Sequence, residues 1–324
     1  MIQGKEKEIG TMLHVYKTIQ KRLIEMDSIE ENSWIMLSAP SSEEIKQVSE
    51  ACGIDPEDIE ASLDDEEGSR VEVADKYTVI LVDVPTVEIR NSKEAYNTIP
   101  LAIILTEQFI ITVCLEESAV LKPFIDGKVK EFSTAKKTRF IYQILYNNAT
   151  VYLNCLRLID LKREEIEEKL SKGTKNSDLI ELHELEKNLI YFTTSLRVNG
   201  MVLERLTRFE RVKKYQEDLE LLEDVIIENK QAIEMTNIYR SILEGTVQLF
   251  AQVIDNNLNT VMKLLAGITI VMSIPNIISG FYGMNVNQDH MPFAHNSFGF
   301  PLICLISLII CFIAFRILKK KDLL

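Results

Sequence analysis

Residues 264–282 read LLAGITIVMSIPNIISGFY, and Gly283, Met284 and Asn285 follow them directly. This stretch carries no charge, and a second apolar run at 298–318, FGFPLICLISLIICFIAFRIL, contains Arg316 as its only charge. As a helix, each run is long enough to cross a hydrocarbon core about 30 Å thick. We therefore predict a hairpin of two transmembrane helices, with the Gly-Met-Asn segment in the loop that joins them.

The basic residues around the two runs predict their orientation. Because a hairpin returns the chain to the side it came from, the long N-terminal region and the C-terminus should share one side of the membrane. Lys263 precedes the first run and Lys319, Lys320 and Lys321 follow the second, so the positive-inside rule places both termini in the cytoplasm. The opening residues MIQGKEKEIG contain no apolar signal segment, which agrees with this topology and suits a bacterial inner membrane.

Charge is distributed unevenly along the chain. The formal net charge is −13, and residues 264–324 carry +2 of it, which leaves −15 on residues 1–263. An acidic region of this size argues against nucleic acid as a partner and favours attraction of cations, although it can also serve solubility alone. The five cysteines form no CxxC pair, which is typical of packing residues in a reducing compartment.

The N-terminal part of the sequence predicts an α/β domain. β-branched and aliphatic runs at 34–37, 78–82, 101–106 and 109–114 predict strands, and Glu107 and Gln108 separate the last two as a tight hairpin would. Residues 42–52 and 56–63 predict short helices, the first capped by Ser41 or Ser42.

Long helices follow this domain. Periodic segments run from Ser133 to about Lys172, from about Ser177 to Arg208, and from Tyr215 to Tyr282, with Pro275 as the only proline in the last. Unbroken, the last segment would be a rod about 100 Å long, which predicts a stalk that enters the membrane. We predict an α/β cytoplasmic domain at 1–130, long helices including the stalk at 131–262, and a transmembrane hairpin with a basic tail at 263–324.

Two stripes recur every three or four residues along the predicted stalk. The apolar seam predicts packing against neighbours and contains Leu243, Val247, Phe250, Ile254, Leu258, Val261 and Leu265. The polar stripe is small or polar nearly throughout and contains Gly245, Gln248, Gln252, Asp255, Asn259, Met262, Ala266, Thr269, Ser273, Asn276 and Gly280. Because polar groups at membrane depth need partners or water, the polar stripe indicates a lined cavity.

One chain with two spans cannot enclose a pore, so the sequence predicts a symmetric homo-oligomer with one polar stripe per subunit facing the axis. The alternative is local: Thr269 and Ser273 can bond to their own helix, and Asn276 can relieve the break at Pro275. At the end of the stripe, Asn285 can offer a neutral carbonyl oxygen to a hydrated cation. These features predict an ion pathway and not an enzyme, and no GxxxxGK[ST] nucleotide-binding run is present.

The chain resembles the CorA family of divalent-cation channels. The resemblance lies in Tyr282-Gly283-Met284-Asn285 at the end of the first of two C-terminal spans, in Met262-Lys263 at the start of that span, in Pro275 within it and in the basic tail. It extends over the whole chain in architecture.

The resemblance implies a homopentamer in the lipid bilayer that carries Mg²⁺, and also Co²⁺ or Ni²⁺. Gly283, Met284 and Asn285 would form the selectivity loop, Met262 and Leu265 a hydrophobic constriction and Asn259 a ring below it. The other predicted lining residues are Ala266, Thr269, Ser273, Asn276 and Gly280. Since Mg²⁺ dehydrates reluctantly, neutral amides can select its hydrated form. The membrane potential can drive uptake, with about 4.6 kcal/mol per 100 mV for a divalent ion.

The resemblance also implies regulation by cytoplasmic Mg²⁺ shared between carboxylates of adjacent subunits. Asp224 resembles one ligand, and Glu60 or Asp64 would supply the other, although the family's carboxylate falls near Ala61. The alternative is a solvated acidic loop. Bound ions would hold like charges together and keep the ring closed.

Some residues depart from the family pattern. The loop after the motif lacks a commonly found glutamate and has Asp289 as its only acid, and Gln248 stands where an acid is common. His290 and His295 are weak grounds for a transition-metal site. A zinc or broad divalent-cation transporter of the same fold is the alternative function, and a two-span magnesium sensor without flux is a third.

Overall fold

The computed structural model describes residues 12–90, 93–173, 176–208, 216–285, 291–293 and 298–321. By its contacts the chain divides into two compact units, Met1–Thr246 and Val247–Leu324. The predicted fold class is confirmed: an α/β sheet region precedes long helices and an apolar C-terminal helix pair. The predicted three-part division of the chain stays a prediction.

Seven strands form one sheet in the order β2-β1-β3-β7-β6-β5-β4. All neighbours are antiparallel except β3 and β7, which are parallel. The strands are β1 (Leu13–Ile19), β2 (Arg22–Met26), β3 (Trp34–Ser38), β4 (Arg70–Val73), β5 (Tyr77–Arg90), β6 (Lys93–Thr106) and β7 (Ile110–Cys114).

The sequence predicted β3, β7 and the inner halves of β5 and β6, but not β1, β2 or β4. The buried strand β3 is apolar along its length, whereas β2, at the sheet edge, reads RLIEM and is largely exposed. A half-solvated edge strand carries a weaker apolar signal than a central one. Strands β5 and β6 pair along their whole length, from Tyr77–Thr106 to Arg90–Lys93. Pro85 and Pro100 lie within them, and because proline is uncommon inside a strand, the sequence did not predict the halves nearer Arg90 and Lys93.

Short helices cover one face of the sheet. Helix α1 (Ser42–Cys52) begins after Ser41, whose hydroxyl accepts from the Glu44 N–H, while the Glu44 carboxylate accepts from the Ser41 N–H. This capping box settles the cap as Ser41. Helix α2 (Pro56–Glu60) runs into a 3₁₀ turn at Ala61–Leu63. Together they cover a core that includes Ile35, Val48, Ile59, Ile104 and Ile111.

Helices α3 (Lys122–Ile125), α4 (Lys137–Lys172) and α5 (Asn176–Thr207) follow the sheet. The face opposite α1 packs around Trp34, whose indole Nε1–H donates to Thr112 Oγ1 at 2.9 Å.

Hydrogen bonds to one carbonyl of β5 tie this strand to α4 and α5. The carbonyl oxygen of Asp83 accepts from three side chains, which are Asn148 and Tyr152 on α4 and Asn199 on α5. Burial raises the pKa of Tyr152 well above its ordinary value, and the nearby Asp83 adds to this, so the phenol remains a donor.

Two helices complete the chain, α6 (Gln216–Tyr282) with 67 residues and α7 (Gly299–Lys320) with 22 residues. In the first unit, the Asn229 side chain of α6 donates to the Leu196 carbonyl of α5 at 3.1 Å. Among the described residues, Glu217–Tyr282 and Gly299–Lys320 are long and apolar enough to cross a membrane. Helix α6 is continuous from the first unit into the second, as predicted from the missing prolines before Pro275.

Candidate ion pathway

The Gly-Met-Asn segment begins immediately after the last residue of α6. The Gly283 N–H donates to the Ser279 carbonyl at 2.9 Å, and the Met284 N–H approaches the Phe281 carbonyl at 3.4 Å. These bonds close the last turn of the helix. Met284 is 54 % exposed, and Asn285 is exposed as well, so the described residues leave both side chains accessible at the end of α6.

Two contacts tie the loop to the helix ends. The Tyr282 hydroxyl donates to the Pro292 carbonyl at 2.8 Å. At the start of α7, a Cβ on Gly299 would clash with the Phe293 carbonyl oxygen, so only glycine allows this approach. The structure thus anchors residues 291–293 beside the segment. Asp289, His290 and His295 lie outside the described residues.

The orientation of α6 within the second unit follows from its contacts with α7. The backbone carbonyl oxygen of Val271 accepts a hydrogen bond from the thiol of Cys311 on α7. A groove of about 920 Å³ between the two helices is lined on the α6 side by residues that include Pro275, Ile278 and Tyr282. Residues two positions apart on a helix point about 200° apart. Thr269 and Ser273 flank Val271 by two positions, and Gly280 follows Ile278 by two, so these three face away from α7, whereas Asn276 directly follows Pro275 and lies about 100° to one side of it.

The polar stripe is open to its surroundings in the protomer. Ser273 is half-buried, and every other member from Gly245 to Gly280 is exposed. A Cβ on Gly245 or on Gly280 would meet nothing within 4 Å. At the predicted constriction, Met262 is 61 % and Leu265 59 % exposed. This side of α6 is therefore largely uncovered by the residues that the structure describes.

Hydroxyl groups in the stripe bond to their own helix. Thr269 Oγ1 donates to the Leu265 carbonyl and Ser273 Oγ to the Thr269 carbonyl, each at 2.8 Å. This is the local arrangement that the sequence left as an alternative for these two residues. It does not remove them from a pathway, because a hydroxyl oxygen that has donated its proton keeps acceptor capacity for a hydrated cation.

The apolar seam divides into two parts. Leu243 and Phe250 are buried, at 1 % and 6 % exposure, whereas Leu258 is 60 % and Val261 52 % exposed. The described residues therefore cover the early part of the seam and leave the later part open.

The predicted regulatory acids are placed on separate elements. Asp224 is exposed on α6, Glu60 is the exposed last residue of α2, and Asp64 follows the 3₁₀ turn, where its Oδ1 accepts from the Glu66 N–H at 3.0 Å. Within a single chain, the part that the structure describes contains no group of three or more His, Cys, Asp or Glu that could hold a metal.

Sequence reasoning did not identify Cys311 or the contact of Tyr282 with Pro292. The sequence did contain one relevant signal, because Pro275 has no N–H and so leaves the carbonyl of Val271 without its usual helical donor. Only the tertiary structure shows that the α7 residue in contact with this carbonyl is Cys311.

The model of the family described as CorA-like Mg²⁺ transporter protein matches residues 30–320. This chain belongs to the CorA family. The cobalt/magnesium transport protein CorA of Methanocaldococcus jannaschii is 28 % identical over 297 residues, which cover 89 % of this chain and 90 % of that relative. Its counterpart from Thermotoga maritima is 23 % identical over 293 residues, covering 89 % and 82 % of the two chains.

Solved structures agree with the CorA assignment. The complete structure of the CorA magnesium transporter from M. jannaschii superposes with a TM-score of 0.82 at 26 % identity and covers 96 % of this chain and 98 % of its own. The full-length CmaX protein, at 15 % identity and a TM-score of 0.70, shares the fold and covers 97 % and 100 % of the two chains. The resemblance predicted from the sequence is confirmed.

Proposed function

We propose that this chain forms a membrane channel for divalent cations, with Mg²⁺ as its main cargo and Co²⁺ or Ni²⁺ as further cargo. The observation that carries the proposal is the last part of the polar stripe of α6, in which Thr269, Ser273 and Gly280 face away from α7 and which ends one turn before Gly283. Membership of the CorA family supports the chemistry. The two relatives at 28 % and 23 % identity are named as transport proteins and not as enzymes.

The pathway is formed by five copies around a common axis. Asn259, Met262, Leu265, Ala266, Thr269, Ser273, Asn276 and Gly280 line it. The Gly283-Met284-Asn285 segments form its outer entrance. Exposure of Leu258 and Val261 in the protomer leaves apolar surface for the neighbouring subunits to cover.

Selection at the entrance uses neutral oxygens. A ring of Asn285 carbonyl groups accepts hydrogen bonds from the water shell of the ion, which Mg²⁺ releases reluctantly. The protein lies in the inner membrane with both termini in the cytoplasm. A membrane potential that is negative inside drives uptake of a divalent cation with about 4.6 kcal/mol per 100 mV.

The deciding experiment measures Mg²⁺ and Zn²⁺ uptake into proteoliposomes that contain the full-length protein. Mg²⁺ flux should exceed Zn²⁺ flux, and Asn285→Ala should reduce the preference for Mg²⁺ because the ring loses its carbonyl groups. Met291→Leu, in the same loop, is the matched control. A parent protein that carries Zn²⁺ in preference to Mg²⁺, or no ion at all, would contradict the proposal, and an unchanged preference in Asn285→Ala would contradict the role of this residue.

Regulation by cytoplasmic Mg²⁺ is the second part of the proposal. Asp224 from one subunit and Glu60 or Asp64 from the next share an ion that holds the ring closed, and loss of the ion lets the carboxylates repel each other. Exposure of all three acids in the protomer is compatible with ligands shared between subunits.

Asp224→Lys should therefore conduct Mg²⁺ even when the cytoplasmic side contains millimolar Mg²⁺, because the site loses one carboxylate ligand and the lysine ammonium repels Mg²⁺ from it. Flux is measured in proteoliposomes loaded with increasing internal Mg²⁺. Glu223→Lys, an equal charge change on the adjacent exposed residue, is the matched control and should remain inhibited. Equal inhibition of both variants would refute the regulatory role of Asp224.

A further inference from the structure

Pro275 removes a hydrogen-bond donor from α6. In a helix the N–H of each residue donates to the carbonyl four residues earlier, so a proline at 275 leaves the carbonyl of Val271 without its intrahelical donor. On a side of a membrane helix that water does not reach, a side chain of a neighbouring helix can supply that donor. Val271 is thus a position at which α6 can accept a hydrogen bond from a partner helix.

Cys311 of α7 supplies that partner. Its Sγ lies 3.6 Å from the Val271 carbonyl oxygen in the geometry of an S–H donor, and both residues are half-buried. The hydroxyls of Thr269 and Ser273 bond to carbonyls of their own helix, whereas this thiol donates across to the other helix.

We propose that Cys311 is a positioning residue for the ion pathway: its bond to Val271 satisfies the carbonyl that Pro275 frees and fixes the rotation of α6 relative to α7. Thr269 and Ser273 lie two positions on either side of Val271. A rotation of α6 at this point would therefore turn both side chains away from the proposed pathway. The effect on conduction rests on the proposed function. The bond itself does not.

A double-mutant cycle with Cys311→Ala and Pro275→Ala tests the coupling, with Mg²⁺ flux in proteoliposomes as the readout. In the parent, Cys311→Ala should lower flux about two- to fivefold, as expected for loss of one weak hydrogen bond. In the Pro275→Ala background the alanine N–H restores the intrahelical donor, so the same change should have little further effect. Cys304→Ala, which removes an exposed thiol of α7, is the matched control and should conduct like the parent. An equal loss in both backgrounds would overturn the proposal.

Infrared spectroscopy of the S–H stretching band reads the bond without any flux. The difference spectrum between the parent and Cys311→Ala isolates the band of Cys311, and the same difference in the Pro275→Ala background isolates it there. The band should lie at lower frequency in the parent pair, because the hydrogen bond to Val271 weakens the S–H bond. Equal frequencies would refute the proposal, even if Pro275→Ala abolished flux. If the band is shifted in the parent but the protein shows no flux, the hydrogen bond to Val271 is present and the proposed function is refuted instead.

Discussion

At the scale of single residues, the backbone and its caps determine local geometry. Ser41 and Glu44 close the N-terminus of α1, and the Glu44 carboxylate also accepts from the Met12 N–H at 2.9 Å. Burial alone would raise the pKa of Glu44, but hydrogen bonds from the backbone and hydroxyl of Ser41 and from the backbone of Met12 lower it below its ordinary 4.5. The folded state therefore favours the charged carboxylate.

This shift gives a pH-dependent prediction. A carboxyl group whose pKa is lowered on folding stabilises the protein above its unfolded pKa, and this stabilisation is lost as the pH falls through the folded pKa. Glu44→Gln keeps an oxygen that can close the capping box but accepts more weakly than a carboxylate, so it should reduce the free energy of unfolding by roughly 0.5 kcal/mol at pH 7, and the difference from the parent should disappear in acid. Chemical unfolding in detergent at a series of pH values measures this. Glu43→Gln changes the same charge in the same turn without the capping contact, and an equal loss there would show that the cap is not the cause.

At the scale of elements, α6 presents different surfaces on different sides. Its α7 side includes Pro275, Ile278 and Ser279, whereas its opposite side carries Thr269, Ser273 and Gly280. The same helix can therefore pack against α7 and line a wet pathway, because residues two apart point in nearly opposite directions.

Gly280→Leu tests the predicted lining. A Cβ at 280 would meet nothing within 4 Å in the protomer, so the variant should fold, and leucine favours the helix more than glycine does. In the assembled channel, five leucine side chains would narrow the pathway and remove its water. Mg²⁺ flux into proteoliposomes should fall roughly tenfold or more.

The matched control is Met272→Leu, which places leucine on an exposed part of α6 outside the polar stripe. It should conduct like the parent. Normal flux through Gly280→Leu, or equal losses in both variants, would contradict the assignment of the stripe to the pathway.

At the scale of the whole molecule, apolar surface on the second unit requires partners. Leu258 and Val261 are more than half exposed in the protomer, and they lie on the seam that the sequence predicts for packing. The bilayer can cover some apolar surface, but the proposed pathway, lined by one helix per chain, would also require neighbouring subunits.

Leu258→Lys should weaken the proposed pentamer, because a charge would be buried where apolar side chains meet. Native mass spectrometry in detergent should show five copies for the parent and smaller species for the variant. Leu258→Met keeps the site apolar and of similar volume, and should remain pentameric. A pentamer that tolerates lysine as well as methionine would place Leu258 outside the interface.

The sequence by itself determined the two apolar spans, the long helix, the polar stripe and the family. Each of these is a local pattern: continuous apolarity, a repeat every three or four residues, or consecutive residues such as Gly283, Met284 and Asn285. The central strands, such as β3, were equally readable because a strand buried on both faces is apolar throughout.

Only the tertiary structure decided features that depend on distant partners. The edge strands β2 and β4, and β1 beside β2, have mixed sequences and are formed by pairing with neighbours, and the carbonyl of Asp83 finds donors more than 60 positions away. Likewise, periodicity establishes that α6 has two sides but not which of them meets α7. The contact between Val271 and Cys311, 40 residues apart, settles that, because the side of a helix that packs is chosen by its neighbour and not by its own sequence.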